Sequence, residues 1–477
     1  MEHSRELIQA GWKRIADLVD LRRQSMTELS NRIWELAETK FEEFESAKLL
    51  ADKLEQEGLV VERGIGGLPT AFKASYGTGR PVVAILGEYD ALDGLSQKAG
   101  IAFQEAILER GSGHGCGHHL LGTGSLAAVL ALKTFMEETG LSGTIRYYGC
   151  PAEEGGSGKT FMVRERAFDG VDAALTWHPG YSNAVVSQTS SANFQIRYRF
   201  HGRSSHAAAS PHTGRSALDA VELMNVGANY LREHVPPEVK FHYAVTDTGG
   251  FSPNVVQSTA EVMYLIRAPE VPQVEDIYAR INDIAKGAAL MTGTEPQIHF
   301  EKACSNLIPN VTLEQVMYQC FDALGVPEFT EEEQSYASSI VSTLQPEHDV
   351  PEFSLPATLE PYEPVTGRML GSTDVADVSW VVPTAQLETV CYAANTPFHS
   401  WQMVAQGQST ASHKGMLHAA KVMAATAAEL LAHPDIIEEA KCELQNRGGM
   451  EGYVCPIPAH IQPTVKVSGE SPKLTKS

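Results

Sequence analysis

A chain of 477 residues is too long for one ordinary core, and 43% hydrophobic with 20% charged residues describes a soluble globular protein of two domains, not a disordered one. The balance of 37 basic against 59 acidic residues gives a net charge of −22 with no Lys/Arg cluster, which argues against nucleic acid and anionic membranes as partners. No signal peptide and no membrane span are expected, and cysteines odd in number and without pairing rhythm suit reduced thiols in the cytoplasm.

The chain opens with helical periodicity over residues 6–57, carried by Ile8, Trp12, Ile15 and Leu18 and later by Phe44, Ala47, Leu50 and Leu54, with Gly58 placed as its cap. Strand-like runs follow at 59–62, 71–76 and 82–86. The last is apolar throughout, which predicts burial on both faces, and it delivers Gly87-Glu-Tyr-Asp-Ala-Leu92 at its C-terminal end. In α/β sheets that edge binds ligands.

Next comes Gly113-His-Gly-Cys-Gly-His-His119, leading into a helix predicted over 120–138. Three histidines and a thiol separated by glycines are hard to explain as packing, because Cys and His are donors for zinc or manganese and glycine lets the backbone bend close. Strands predicted at 143–149 and 173–177 end at Cys150-Pro-Ala-Glu-Glu-Gly-Gly156 and at His178. Glu88, Asp90, Glu153, Glu154 and His178 therefore collect on one rim of one sheet.

From about 186 to 308 the pattern changes to strand, helix, two strands, helix, strand, the order of a small split-βαβ domain. Beyond Pro309 the α/β pattern resumes. A polar insertion of low order is expected over 346–364 and a mobile tail after Pro456.

The paired Glu153-Glu154 suggests divided labour: one carboxylate ligates a metal, and its neighbour acts as general base on water acidified there. The rival readings are a solvated Glu pair, a structural metal site, and a Cys116 nucleophile with a histidine base. Metal hydrolysis ranks first, because tight Cys-Gly-His spacing favours sharing one ion.

Gly-His-Gly-Cys-Gly-His, Tyr148-Gly-Cys-Pro, Glu-Glu-Gly-Gly-Ser-Gly-Lys-Thr-Phe-Met-Val, Ser252-Pro-Asn-Val-Val-Gln and His413-Lys-Gly-Met resemble the metal-dependent amidohydrolases of the M20 peptidase clan, subgroup D, over nearly the whole chain. The resemblance implies an α/β catalytic domain of the metal-dependent exopeptidase type (1–187 plus 309–477). It also implies an inserted α+β, ferredoxin-like lid and dimerisation domain (188–308). Two divalent ions, Mn²⁺ or Zn²⁺, would be held by Cys116, His118, Glu154, His178 and His399, with Cys116 as a bridging thiolate and Glu153 as general base. His206, in Gly202-Arg-Ser-Ser-His-Ala, would reach into a partner subunit's site, and Asn254 and Arg267 would grip the substrate carboxylate.

The implied substrate is a small N-acyl or N-aroyl amino acid, with p-aminobenzoyl-glutamate ahead of indole-acetyl-aspartate and dipeptides. The implied assembly is a homodimer or a heterodimer with a related subunit. The alternative from another class is a weakly active or non-catalytic subunit of a two-subunit hydrolase. Two positions depart from the family's pattern: its Asp after Cys-Gly-His is His119 here, and the strand-end acidic motif reads Glu88-Tyr-Asp90. Asp90 is placed to orient a ligand histidine. His119 stands as a further donor, a group behind the ligands or a surface residue, with direct coordination the least expected.

Overall fold

The computed structural model describes residues 2–344 and 353–465. The N-terminal periodicity resolves into α1 (Glu2–Asp20), α2 (Arg23–Leu36) and α3 (Phe44–Gln56), and each buries one stripe: Ile15 and Leu18, then Met26 and Ile33, then Leu50 and Leu54. There follow β1 (Val60–Arg63), β2 (Phe72–Thr78), β3 (Val82–Glu88), α4 (His118–Thr139), β4 (Gly143–Cys150), the short α5 (Glu153–Gly156) and α6 (Gly158–Arg164), then β5 (Ala173–Gly180), β6 (Ala184–Val186) and β7 (Thr189–Ser190).

The insertion is β8 (Ala192–His201), α7 (Ala217–Leu231), β9 (Lys240–Asp247), β10 (Thr259–Ala268), α8 (Val271–Thr292) and β11 (Glu295–Cys304), the order expected from the pattern. The chain then returns through α9 (Val311–Leu324), α10 (Glu331–Val341), β12 (Arg368–Met369), α11 (Val375–Val381), β13 (Thr384–Val390), α12 (Trp401–Gln406), α13 (Thr410–Ala432) and α14 (Pro434–Asn446).

Seven strands form the main sheet in the order β1-β2-β4-β3-β5-β13-β6. Its centre, β4-β3-β5-β13, is parallel, so the carboxyl ends of four strands share one edge; Glu88 lies opposite Cys150 there, and His178 opposite Glu388. Every residue of β3 is buried, as its unbroken apolar run predicts. Helix α4 packs on β3 and on α13. It is long and apolar enough to cross a membrane by length and composition, but 83% of its apolar window lies inside the fold, so it is a core helix covered on all sides.

The inserted domain is a four-stranded antiparallel sheet, β11-β8-β10-β9, packed on α7 and α8. Its apolar core is continuous with the main body: Ile196, Tyr264 and Ile277 belong to the same buried cluster as Phe161, Met162 and Val378. Of the insertion expected at 346–364, residues up to 352 lie outside the described part, and 353–364 carry only an isolated bridge, Leu359 to Asn183. Of the tail, residues 466–477 lie outside it as well.

Candidate active site

Three backbone kinks on the carboxyl rim aim the side chains. Gly117 has φ of +77°, and a Cβ there would collide with the Tyr392 hydroxyl and the Pro179 ring, so only glycine lets α4 start at His118 beside the end of β5. Ala152 (φ 59°) and Ser157 (φ 53°) bracket the Glu153-Glu154 turn in the left-handed region, and His399 itself sits at φ 60°. Such conformations are costly for side-chain-bearing residues and persist where the surroundings over-determine them. At His399 the backbone N–H donates to the Gly115 carbonyl at 2.8 Å, tying the distant 396–400 turn to the Cys116 loop.

The five residues expected as ligands converge. Cys116 Sγ lies 3.5 Å from His178 Nε2. Glu154 Oε2 lies 3.2 Å from His399 Nε2, and its other oxygen lies 3.9 Å from His118 Nε2. Donor atoms of Cys116, His118 and His178 fall within 4.8 Å of one another, and so do those of Cys116, Glu154 and His399.

The ring orientations follow from hydrogen bonds on the far side of each imidazole. His118 Nδ1 donates to Asp90 Oδ1 at 2.8 Å, while Asp90 Oδ2 accepts the Glu154 backbone N–H at 2.9 Å. His178 Nδ1 donates to its neighbour's carbonyl, Pro179, at 3.1 Å. Both Nε2 lone pairs then face inward, the usual outcome when a carboxylate or carbonyl fixes the tautomer of a ligand histidine.

That geometry bears directly on a cation. His118 Nε2 and Glu154 Oε1 are buried with no hydrogen-bond partner, although Glu88 Oε2 approaches the imidazole nitrogen at 3.2 Å. A lone pair facing carboxylates is repulsive unless a positive charge stands between them. The pKa shifts show the same demand. Burial alone would lower His118, but Asp90 and Cys116 hold it well above its ordinary value. Burial would raise Glu154, but His399 and His118 hold it down to about 2. Burial, then the Glu154 charge, pushes the Cys116 thiol well up, so a nearby cation is what brings out its thiolate. The Cys/His/carboxylate donor set therefore fits divalent metal.

Glu153 points into the same cluster, its donor oxygen within 4.8 Å of donor atoms of Glu88 and His118. Burial, then the charges of Glu88, Glu154 and Asp374, hold its carboxyl well above the usual range. A carboxyl so raised takes and returns a proton more readily than an ordinary glutamate.

A buried ion triad lies behind the rim, and the sequence reading did not assign it. Lys159 is 0% exposed and its Nζ lies 2.6 Å from both Glu88 Oε1 and Asp374 Oδ1, while its backbone N–H donates to Asp374 Oδ2. Glu88 thus spends one oxygen on Lys159 and turns the other towards His118. The apolar β3 run ending in an acid was a signal for Glu88; nothing local marks Lys159 or Asp374 as its partners.

The lid residues divide. Arg267 reaches the rim: its guanidinium donates to Ser372 Oγ at 2.7 Å, burial lowers its pKa, and its charge is felt by both Glu153 and His399. His206 and Asn254 are exposed on an adjoining lid segment, joined by the Ala207 N–H to the Asn254 carbonyl. His206 Nδ1 accepts the backbone N–H groups of Ala208 and Ala209 at 3.2 and 3.1 Å. Its proton is thereby placed on the exposed Nε2, a free donor. Neither residue contacts the metal cluster of its own chain in any hydrogen bond or ion pair among the described residues.

His119 turns away. It is fully buried, its Nε2 donates to the Gly407 carbonyl at 2.9 Å, and its ring packs 4.8 Å from that of His114. It belongs to no candidate metal group among the described residues and anchors the start of α4 against the turn after α12.

An inserted lid above a Cys/His/carboxylate cluster, at the carboxyl rim of a mixed sheet, is the architecture of a metal-dependent hydrolase. The chain belongs to peptidase family M20/M25/M40, whose model matches residues 84–400. It is 47% identical to one of the two chains that make up the p-aminobenzoyl-glutamate hydrolase of Escherichia coli (strain K12), over 96% of this chain and 99% of that one. The Xaa-Arg dipeptidase of Mus musculus is 29% identical over 91% and 93%. Among solved structures, an aminobenzoyl-glutamate utilization protein from Klebsiella pneumoniae has the same fold, with a TM-score of 0.58 at 18% identity, covering 87% of this chain and 97% of that one.

Proposed function

We propose that this chain hydrolyses the amide bond of N-aroyl amino acids, with p-aminobenzoyl-glutamate as substrate and p-aminobenzoate and glutamate as products. The observation that carries the reading is the pair of buried, unpartnered lone pairs on His118 and Glu154, aimed into a cluster with Cys116, His178 and His399. The 47% relative, part of a hydrolase of that compound by name, supports the choice of substrate.

Two divalent ions, Mn²⁺ or Zn²⁺, would be held by those five residues, with Cys116 shared between them as thiolate. When bound, they would supply Lewis acidity to water and to the scissile carbonyl. Glu153 takes a proton from the attacking water and returns it to the leaving nitrogen. Asp90 and the Pro179 carbonyl hold the ligand imidazoles in register. Arg267 binds the amino-acid carboxylate through its planar fork, and Asn254 assists it. The Nε2 proton of His206 suits a developing oxyanion, and its exposure on the lid supports delivery from a partner chain: a second copy or a related subunit. The reading places the protein in the cytoplasm.

The test is hydrolysis of p-aminobenzoyl-glutamate, indole-acetyl-aspartate, N-acetyl amino acids and a β-alanyl dipeptide by purified protein reconstituted with Mn²⁺ or Zn²⁺. Release of glutamate from the first supports the reading. Cleavage of indole-acetyl-aspartate alone keeps the mechanism and replaces the substrate. Silence across the panel with metal bound points to a chain that works only with a related subunit.

A further inference from the structure

Phe398 stands between two of the expected metal ligands and is nonetheless 41% exposed. It directly precedes His399, and its ring lies 5.4 Å from that of His178, edge on at 63°. Tyr181 is 36% exposed and lies 6.4 Å from Phe398, tilted at 45°. Apolar area left open beside a charged cluster marks a binding surface more often than a packing accident.

Both rings stand on rigid turns. Around Phe398, the Thr396 hydroxyl donates to the Ala393 carbonyl and the Ser400 hydroxyl to the Pro397 carbonyl, each at 2.6 Å. Beside Tyr181, the Ser182 N–H and hydroxyl both donate to Glu388, while the Gly180 carbonyl accepts from Cys391 and Tyr392. A ring held in this way binds a ligand with little further ordering cost.

We propose that Phe398, flanked by Tyr181, is the wall that receives an aromatic acyl group and sets the preference for aroyl over aliphatic acyl substrates. This inference rests on the amide-hydrolase reading above and adds to it the residues that choose the acyl side. An aryl ring placed at stacking distance from Phe398 has its carbonyl carried towards the His178–His399 side of the cluster. Arg267, felt by Glu153 and His399, takes the carboxylate end. The wall selects for an aromatic plane and serves aminobenzoyl or indolyl groups alike, because an offset or edge-on partner is what a phenyl face offers.

The experiment compares kcat/KM for p-aminobenzoyl-glutamate and N-acetyl-glutamate in metal-loaded wild type, Phe398→Leu and Tyr181→Leu, with metal content measured for each. Leucine keeps the bulk and removes the ring. The expected result is a fall of about 5- to 10-fold in the aroyl-to-acetyl ratio for Phe398→Leu, at unchanged metal content, the size a lost aromatic pair implies. A smaller fall of the same kind is expected for Tyr181→Leu. An unchanged ratio, or an equal fall for both substrates, overturns the proposal and makes Phe398 a support for the ligands alone. If wild type cleaves neither compound, the amide-hydrolase reading fails, and binding of p-aminobenzoate to metal-loaded protein decides the wall on its own. Binding at least about 5-fold weaker in Phe398→Leu sustains it, and equal binding overturns it.

Discussion

The rim of the main sheet and the lid segment around His206 solve opposite problems. On the rim nearly every functional side chain is buried or half-buried and locked from behind: His118 by Asp90, Glu88 by Lys159, Glu154 by the Asp90–backbone bond. On the lid, His206 and Asn254 are exposed and held by local backbone contacts alone. Low dielectric makes charges strong and their misplacement expensive, so the groups that handle charge are fixed within one chain. Groups that meet the substrate late are left at the surface, where a closing lid or a second chain brings them in.

Four perturbations sharpen that contrast. Glu153→Gln removes the proton carrier with its shape intact; kcat is expected to fall by up to about 10⁴-fold while metal content and melting temperature stay native. Near-wild-type activity would remove Glu153 from the chemistry. Lys159→Met leaves Glu88 and Asp374 buried with no counter-charge, and a loss of about 3–5 kcal/mol in unfolding free energy is expected by denaturant titration. An equally stable variant would mean the rim is not locked by its ions.

Acid acts on buried imidazoles away from the metal cluster. His413 and His418 are held down to about 4 by burial. The unfolded chain binds their protons near pH 6.5, so stability is complete above that value and is lost as pH falls towards 4. The loss is on the order of 2–3 kcal/mol for each group. Thermal unfolding between pH 7 and 4.5 reads the slope, and replacing both with Gln should flatten it. The smallest effect is expected for Arg267→Lys, the lid residue that already touches the rim. Loss of the planar fork should raise KM about 10-fold and leave kcat nearly unchanged.

Much of this was legible in the sequence, and for identifiable reasons. An unbroken apolar run gives a parallel central strand, and the acids after it fall on the ligand edge; β3 with Glu88 and Asp90 shows both. Glycines around Cys116 announced a close approach, which Gly117 makes against Tyr392 and Pro179. Distance along the chain hid the rest. Lys159 meets Asp374 across 215 positions, and neither has a periodic or motif partner nearby. The exposure of Phe398 depends on where the His399 turn lands, and it lands against the Cys116 loop through one backbone bond. The residue after Cys-Gly-His invited a ligand role because of its neighbours, but its position in the first turn of α4 points it at Gly407 instead.

A single mixing experiment reaches the central claim, that the rim of one chain is completed by His206 from another. Glu153→Gln and His206→Ala chains, each folded and metal-loaded but inactive alone, are unfolded together, refolded as a mixture and assayed on p-aminobenzoyl-glutamate. Activity is predicted to return, because a mixed dimer holds one site with both an intact Glu153 and an intact His206. A mixture as silent as its parts, or a His206→Ala chain as active as wild type, would contradict it.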